Sequence, residues 1–374
     1  MLDAPLPIPS DLLRGFDHCY NLEYAEALVI FRHAAEADPG NPQLANYIAQ
    51  AVLYNAMLKA GALESELVTG TNPFLRRERM NPTTEEQADF DNAINTAFTK
   101  AQAQLSSKPS DAAALYSLAI THGLRANYNF LVRKAWLDAL KDSTASRKFA
   151  QRALDADPSY IDAKIILGLH DYIVGSLSWT FKAMGFLAGI HGDRDGGIRT
   201  LEAVAASGIN NRSDAKILLA AIYRREKHPA QAVPLLEGMI AAYPRNYIFR
   251  LELAQMLGDL GDREKSIATL DTVAQLEPNK AEKIAFLKGN LLFWFDEYER
   301  AIPELQRAVN HRDQLDLNTG LLACLRLGQT LDLLNRHPEA VEAYKQGIAL
   351  SPNSDFAKEC NRYAKRPYKR KRIT

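Results

Sequence analysis

The stretch His191-Gly192-Asp193-Arg194-Asp195-Gly196-Gly197 sets an imidazole, two carboxylates and a guanidinium among three glycines. Groups of these types can move a proton or hold a phosphate. A phosphate-cradling loop also needs a closing Lys-Ser/Thr pair, and none follows here. The same phrase returns later in the chain. Gly192-Asp193-Arg194-Asp195-Gly196-Gly197-Ile198-Arg199-Thr200-Leu201 is echoed by Gly261-Asp262-Arg263-Glu264-Lys265-Ser266-Ile267-Ala268-Thr269-Leu270, with six identities. The second copy has no histidine and opens an ordinary helical pattern. The shared part therefore reads as a turn between two helices of a repeat, with Asp193 or Asp195 capping the second helix.

Little else in the chain has the spacing that catalysis or metal binding requires. The eight histidines form no HExxH pair, and there is no GxSxG, P-loop or Rossmann glycine fingerprint. Cys19, Cys324 and Cys360 are widely separated and make no CxxC, which argues against a disulfide framework or a thiolate metal site. No catalytic residue, metal ligand or cofactor is assigned on these grounds.

The repeat extends well beyond the echoed phrase. The small residues Gly197, Ala232, Ser266, Ala301 and Ala340 are each followed four positions later by Leu or Tyr, and their spacings are 35, 34, 35 and 39 residues. A second small residue stands twelve positions earlier in each: Gly185, Ala220, Ala254, Gly289 and Gly328. Small residues at both places let two antiparallel helices approach closely. Helix stops follow at Pro244, Pro278 and Pro352, and Gly15, Ala27, Phe31, Ala34 and Pro39 fit the same grid. A period near 34 residues with this pattern resembles the tetratricopeptide repeat family. The resemblance implies an all-α, right-handed superhelical solenoid of about eight antiparallel hairpins, of a kind that binds other proteins.

The chain has 374 residues, 47% of them hydrophobic, with 45 basic and 45 acidic side chains. Zero net charge argues against a nucleic-acid-binding body. Three regions are expected: irregular, lengthened hairpins over 1–212, a regular array over 213–354, and a capping helix with a basic tail over 355–374. The 61–82 connection is unusually long for a compact array, and such connections are often functional. Met1-Leu2-Asp3-Ala4-Pro5 carries no basic and apolar leader pattern, so a cytoplasmic location is favoured, although a removed signal would leave no trace. The apolar run 165–190 is broken by His170, Asp171 and Lys182 and does not read as a membrane span.

The first-helix positions of the regular hairpins carry the binding expectation. Gln255, Asn290 and Gln329 each follow the first small residue, and side-chain amides offer both donor and acceptor to an extended backbone. Nearby are Arg224 and Arg225, which could hold an acidic group, and Phe293 and Trp294, of which Trp294 could fill an apolar pocket. The leading expectation is a non-catalytic scaffold that binds a peptide or protein segment in the concave groove. A second is a lipid- or membrane-associated adaptor that uses the apolar 177–190 segment and the basic tail, 365–372. A third is an enzyme with a site in the 61–82 loop. The segment through Gly185-Phe186, Gly192-Asp193-Arg194 and Gly197-Ile198 is similar to the tetratricopeptide subfamily that includes fungal inclusion-body clearance protein. Residues 187–191 are an insertion relative to that pattern. The resemblance implies adaptor work and brings no catalytic residue.

Overall fold

A computed structural model of the chain describes residues 9–63, 80–176 and 192–370. Within them 81% of residues are helical and no strand occurs. The helices pair into eight antiparallel hairpins: α1 (Ser10–Tyr20) with α2 (Tyr24–Ala37), α3 (Pro42–Lys59) with α4 (Thr84–Ser107), α5 (Ala112–Tyr128) with α6 (Trp136–Ala156), and α7 (Lys164–Gly175) with α8 (Arg194–Ser207). The last four are α9 (Arg212–Arg225) with α10 (Pro229–Ala242), α11 (Tyr247–Asp259) with α12 (Arg263–Leu276), α13 (Ala281–Trp294) with α14 (Tyr298–Asn310), and α15 (Leu317–Leu333) with α16 (His337–Leu350). A single helix, α17 (Asp355–Lys365), ends the series. The chain divides into two compact units, Met1–Ile248 and Phe249–Thr374.

Short turns and prolines set the hairpin lengths. Hairpins one, five, six, seven and eight each use a three-residue turn whose middle residue has positive φ: Leu22 (67°), Lys227 (60°), Gly261 (84°), Asp296 (61°) and Asn335 (61°). The left-handed residue reverses the chain within one turn, and only Gly261 adopts that conformation without steric cost. Proline stands two residues past the end of α2, α4, α6, α10, α12 and α16, where it bars the helix from continuing. Helix starts are fixed by side-chain caps. Thr83 and Glu86 form a reciprocal capping box at α4, and Asn41, Asp111, Asp262, Asp316 and Ser354 cap α3, α5, α12, α15 and α17.

The small-residue grid is the contact between the two helices of a hairpin. A methyl group added at Gly15 would lie 2.5 Å from the Phe31 ring, and one at Gly289 would lie 2.6 Å from Leu305. Gly328 faces Tyr344 in the same way, and the Ser266 hydroxyl donates to the Ala254 carbonyl at 2.6 Å. Hairpin four departs from the predicted register. Gly197 and Leu201 pack on Gly168 of α7, and Gly185, the residue the spacing selects, lies outside the described residues. The connection within this hairpin displaces the sequence spacing while the packing pair is kept.

Hairpin three lengthens differently. α5 continues into a π turn, Asn129–Arg133, and Lys134 then takes a left-handed conformation (φ 54°) before α6. The turn carries Asn129 to the buried Asp142 carboxylate, which also accepts from Arg125 and meets the His122 imidazole at 2.9 Å. Burial holds the His122 imidazole below its ordinary pKa, although Asp142 opposes the shift. Phe98 and Phe149 cover the ring on two sides, so the group reads as an internal tie between α5 and α6.

Candidate functional site

In the second unit the first helices α13 and α15 bring most of the sequence-selected residues together. Trp294 is the last residue of α13 and is 53% exposed, an unusual state for so large an apolar ring. Phe293 beside it is fully buried, and the two rings meet edge to face with centroids 5.4 Å apart. Asn290 stands one turn earlier on α13, and Gln329 lies buried on α15.

Arg326, which the sequence reading did not select, organises this cluster. Its Nε donates to Asn290 Oδ1 and its Nη1 to Gln329 Oε1, both at 2.8 Å. The guanidinium lies over the Phe293 ring at 4.2 Å and over Trp294 at 4.9 Å. Burial pushes its pKa down to about 10, which still leaves it charged at neutral pH. The amide oxygens of Asn290 and Gln329 thus already serve Arg326. Gln255, the third amide of the predicted row, is exposed on α11 and donates to Asp259 at 2.8 Å within its own helix.

The basic tail is the feature that sequence reasoning placed elsewhere. Past α17, Arg366 has an extended backbone, Pro367 prevents further helix, and residues 366–370 run back over α13 and α15. The Tyr368 N–H donates to Asp332 Oδ2 at 2.7 Å. Asp332 sits in α15 with a fully buried side chain, and it also accepts the Tyr344 hydroxyl at 2.8 Å and meets His337 Nδ1 at 2.7 Å. The Tyr368 ring packs edge to face on Tyr363 at 5.1 Å and near Phe293 at 6.3 Å.

Arg370 closes the contact. Its guanidinium donates to the Asp296 carboxylate, to the Trp294 carbonyl at 3.1 Å and to the Phe293 carbonyl at 3.3 Å. It lies over the Trp294 ring at 5.3 Å and the Phe293 ring at 5.6 Å. Those two carbonyls belong to the C-terminal turn of α13, where the helix dipole favours a cation, and the Phe293 carbonyl also accepts the Asp296 N–H at 3.2 Å.

The remaining sequence-selected residues lie in the first unit. Arg224 and Arg225 end α9. The Arg225 guanidinium lies 5.6 Å from the Tyr172 ring centroid, and the Tyr172 hydroxyl donates to Glu226 at 2.8 Å. Arg194 of the echoed phrase pairs with the same Glu226 at 2.9 Å. Asp193 occupies the N-cap position of α8 without making a side-chain cap bond, whereas its twin Asp262 accepts from Lys265 N–H at 3.4 Å. Both copies open a helix, as a turn between repeat helices should. His191, the apolar 177–190 segment, most of the 61–82 connection and residues 371–374 lie outside the described residues. So do Gly185 and Phe186, which carry the resemblance to the inclusion-body clearance group. Among the described residues, no helix is long and apolar enough to cross a membrane, and no group of three potential metal ligands occurs.

Two stretches match tetratricopeptide repeat families, residues 223–291 and residues 321–354. No curated protein matches the chain. Among solved structures, yeast Tom70 is 12% identical over 94% of this chain and 87% of its own, with a TM-score of 0.41. The Cut9–Hcn1 heterotetramer of APC/C is 14% identical, with 95% and 75% covered and a TM-score of 0.39. MamA from Desulfovibrio magneticus RS-1 is 19% identical over 41% of this chain and 92% of its own, with a TM-score of 0.33. Residues 223–291 and 321–354 are thus tetratricopeptide repeats, and they fall on the regular hairpins α9–α16.

Proposed function

We propose that this protein is a non-catalytic scaffold that binds an extended segment of a partner protein on the α13–α15 face of its second unit. The tetratricopeptide fold supports a protein–protein interaction scaffold. The observation that carries the location is that this face already holds a stretch of non-helical polypeptide, residues 366–370, against Asp332 and Trp294. A surface that satisfies a backbone N–H with a buried carboxylate and covers an aromatic pair with a guanidinium has the means to hold such a segment from another chain. Exposed tryptophan and buried arginine are also the residue types that dominate binding energy at interfaces. Asn290 and Gln329 act in this reading by fixing Arg326, and Gln255, Arg224 and Arg225 are left without a role.

The test begins with a partner found by crosslinking and mass spectrometry on the intact chain. Crosslinks should fall on α13, α15 and the turns that follow them. Trp294→Ala should weaken the identified partner by about 2 kcal/mol or more, the scale of interface hot spots. A partner that crosslinks only to second helices and is indifferent to Trp294→Ala ends this reading. The membrane-adaptor alternative draws on 177–190, outside the described residues, and on a tail whose Arg370 is engaged by protein groups.

A further inference from the structure

Residues 366–370 lie against the α13–α15 face with an alternating pattern of burial. In an extended segment alternate side chains point the same way. Tyr368 and Arg370 are half-buried against the face, while Pro367 and Lys369 are exposed. Two positions of the segment are therefore read and the one between them is free.

The chemistry at the two read positions is narrow. At the first, the backbone N–H reaches the buried Asp332 carboxylate, and the side chain fills a corner between Tyr363 and Phe293. Only a flat apolar ring packs edge to face in such a corner. At the second, one planar cation donates to a carboxylate and two backbone carbonyls while lying over an indole. Arginine has the forked donors and the stacking plane for this. Lysine presents a compact point charge that cannot stack. The carboxylates that meet the segment, Asp296 and Asp332, complement its positive charge.

We propose that the α13–α15 face takes partner segments with an aromatic residue followed two positions later by arginine, and that residues 366–370 are the resident competitor for that site. The inference rests on the proposed scaffold function and adds the chemistry of its ligand and a means of restraint. A tail joined directly to α17 meets its site at an effective concentration of about millimolar, so weak contacts suffice to keep it in place. A partner must outcompete it. Lying outside α17 and held by two side chains and one backbone bond, it can leave without unfolding a helix.

The probe is a fluorescein-labelled peptide, Arg-Pro-Tyr-Lys-Arg-Lys-Arg, that copies residues 366–372. Its affinity is read by fluorescence anisotropy against three proteins: the intact chain, the chain ending at Lys365, and the intact-length Tyr368→Ala/Arg370→Ala variant. Both opened forms should bind the peptide about tenfold or more tighter than the intact chain, because a mostly closed site divides the apparent affinity by its open fraction. Peptides with lysine at the Arg370 position, or alanine at the Tyr368 position, should lose about tenfold, or 1.4 kcal/mol. If circular dichroism shows the truncated chain unfolded, the double variant carries the comparison. Equal binding by the intact and opened forms overturns the competitor. Equal binding by a scrambled peptide of the same composition overturns the motif and leaves only charge attraction. A partner that depends on Trp294 but carries no aromatic-X-arginine segment would sink this inference and spare the scaffold reading. If neither peptide nor partner depends on Trp294, both fall.

Discussion

Each unit is fastened by an arginine against the turn of a hairpin, and the two fastenings differ in what they are attached to. In the first unit, Arg245 donates to Glu23 and to Asp17, its N–H reaches Asn21 Oδ1 at 3.0 Å, and Asn246 Nδ2 donates to the Tyr20 carbonyl at 2.7 Å. These groups grip the end of α1 and the turn after it, so that hairpin one meets the segment that follows hairpin five. In the second unit, Arg370 grips the end of α13 and Asp296 in the turn after it. Arg245 and Asn246 lie mid-chain, and α11 begins at the next residue. Releasing them means disturbing helices on both sides. Arg370 lies in the non-helical stretch beyond α17 and Pro367, and releasing it disturbs no helix among the described residues. The same chemistry is therefore expected to make a structural clamp in one place and, as proposed above, a removable occupant in the other. The helices on either side of each arginine decide which.

The largest effect that would sharpen this contrast is expected in the first unit. Arg245→Ala/Asn246→Ala removes the acceptor of the buried Ile248 N–H, the donor to the part-buried Tyr20 carbonyl and an exposed ion pair, and should cost about 2–3 kcal/mol of stability, since each unmet buried group costs about 1–3 kcal/mol. Chemical denaturation monitored by circular dichroism measures it. A loss below about 0.5 kcal/mol, the scale of an ordinary surface substitution, would remove the structural clamp from the account.

Acid should loosen the same clamp. The Arg245 guanidinium, and behind it His18, holds the Glu23 carboxyl below its ordinary value of 4.5. A lowered carboxyl pKa adds stability above the unfolded value, and that stability is lost as pH falls through the folded value. Stability of the parent should therefore fall below about pH 4.5, and the fall should be shallower in Glu23→Gln. Parallel curves for the two proteins would show that Glu23 contributes nothing to acid sensitivity.

The smallest change belongs to the tail. Tyr368→Ala/Arg370→Ala should alter stability by less than about 1 kcal/mol, because the Asp296 carboxylate that Arg370 meets is 65% exposed and the pair is screened by water. Trp294 fluorescence should nevertheless shift to longer wavelength as its ring enters solvent. A destabilisation as large as that of the first-unit variant would mean that the tail is an integral part of the fold.

Much of this architecture was legible in the residues. The Ala-and-Gly grid, the prolines two positions past helix ends and the Asp, Asn, Ser and Thr caps are local signals, and local signals fix where helices begin, end and pack. Ser354 caps α17 where the capping helix was expected, and Gly261-Asp262-Arg263 opens α12 as its echo implied. The Gly185 register failed because a spacing rule assumes a constant connection, and hairpin four keeps its packing pair across a longer one. The site was legible only in part. Asn290, Phe293, Trp294 and Gln329 were selected as first-helix positions, yet the group that ties them together, Arg326, lies three residues before Gln329 and carried no marking pattern. Asp332 did carry a signal, a lone carboxylate inside the apolar run Thr330-Leu331-Asp332-Leu333-Leu334, since buried carboxylates need partners. Its partner Tyr368 comes from the tail, and a basic run read alone suggests an anion. No local rule tells that such a run will fold back on two carboxylates and a helix C-terminus.

Hydrogen exchange of two backbone amides in the intact protein tests the central contrast most directly. The Arg245 N–H and the Tyr368 N–H each donate to a side-chain oxygen at the fastening of its unit. The Arg245 amide should exchange only with unfolding of the first unit. The Tyr368 amide should exchange through a local opening several kcal/mol below the unfolding of the second unit, as mobile segments do. If the Tyr368 amide is released only when α13 and α15 unfold, the tail is a fixed strand of the structure and the removable occupant does not exist.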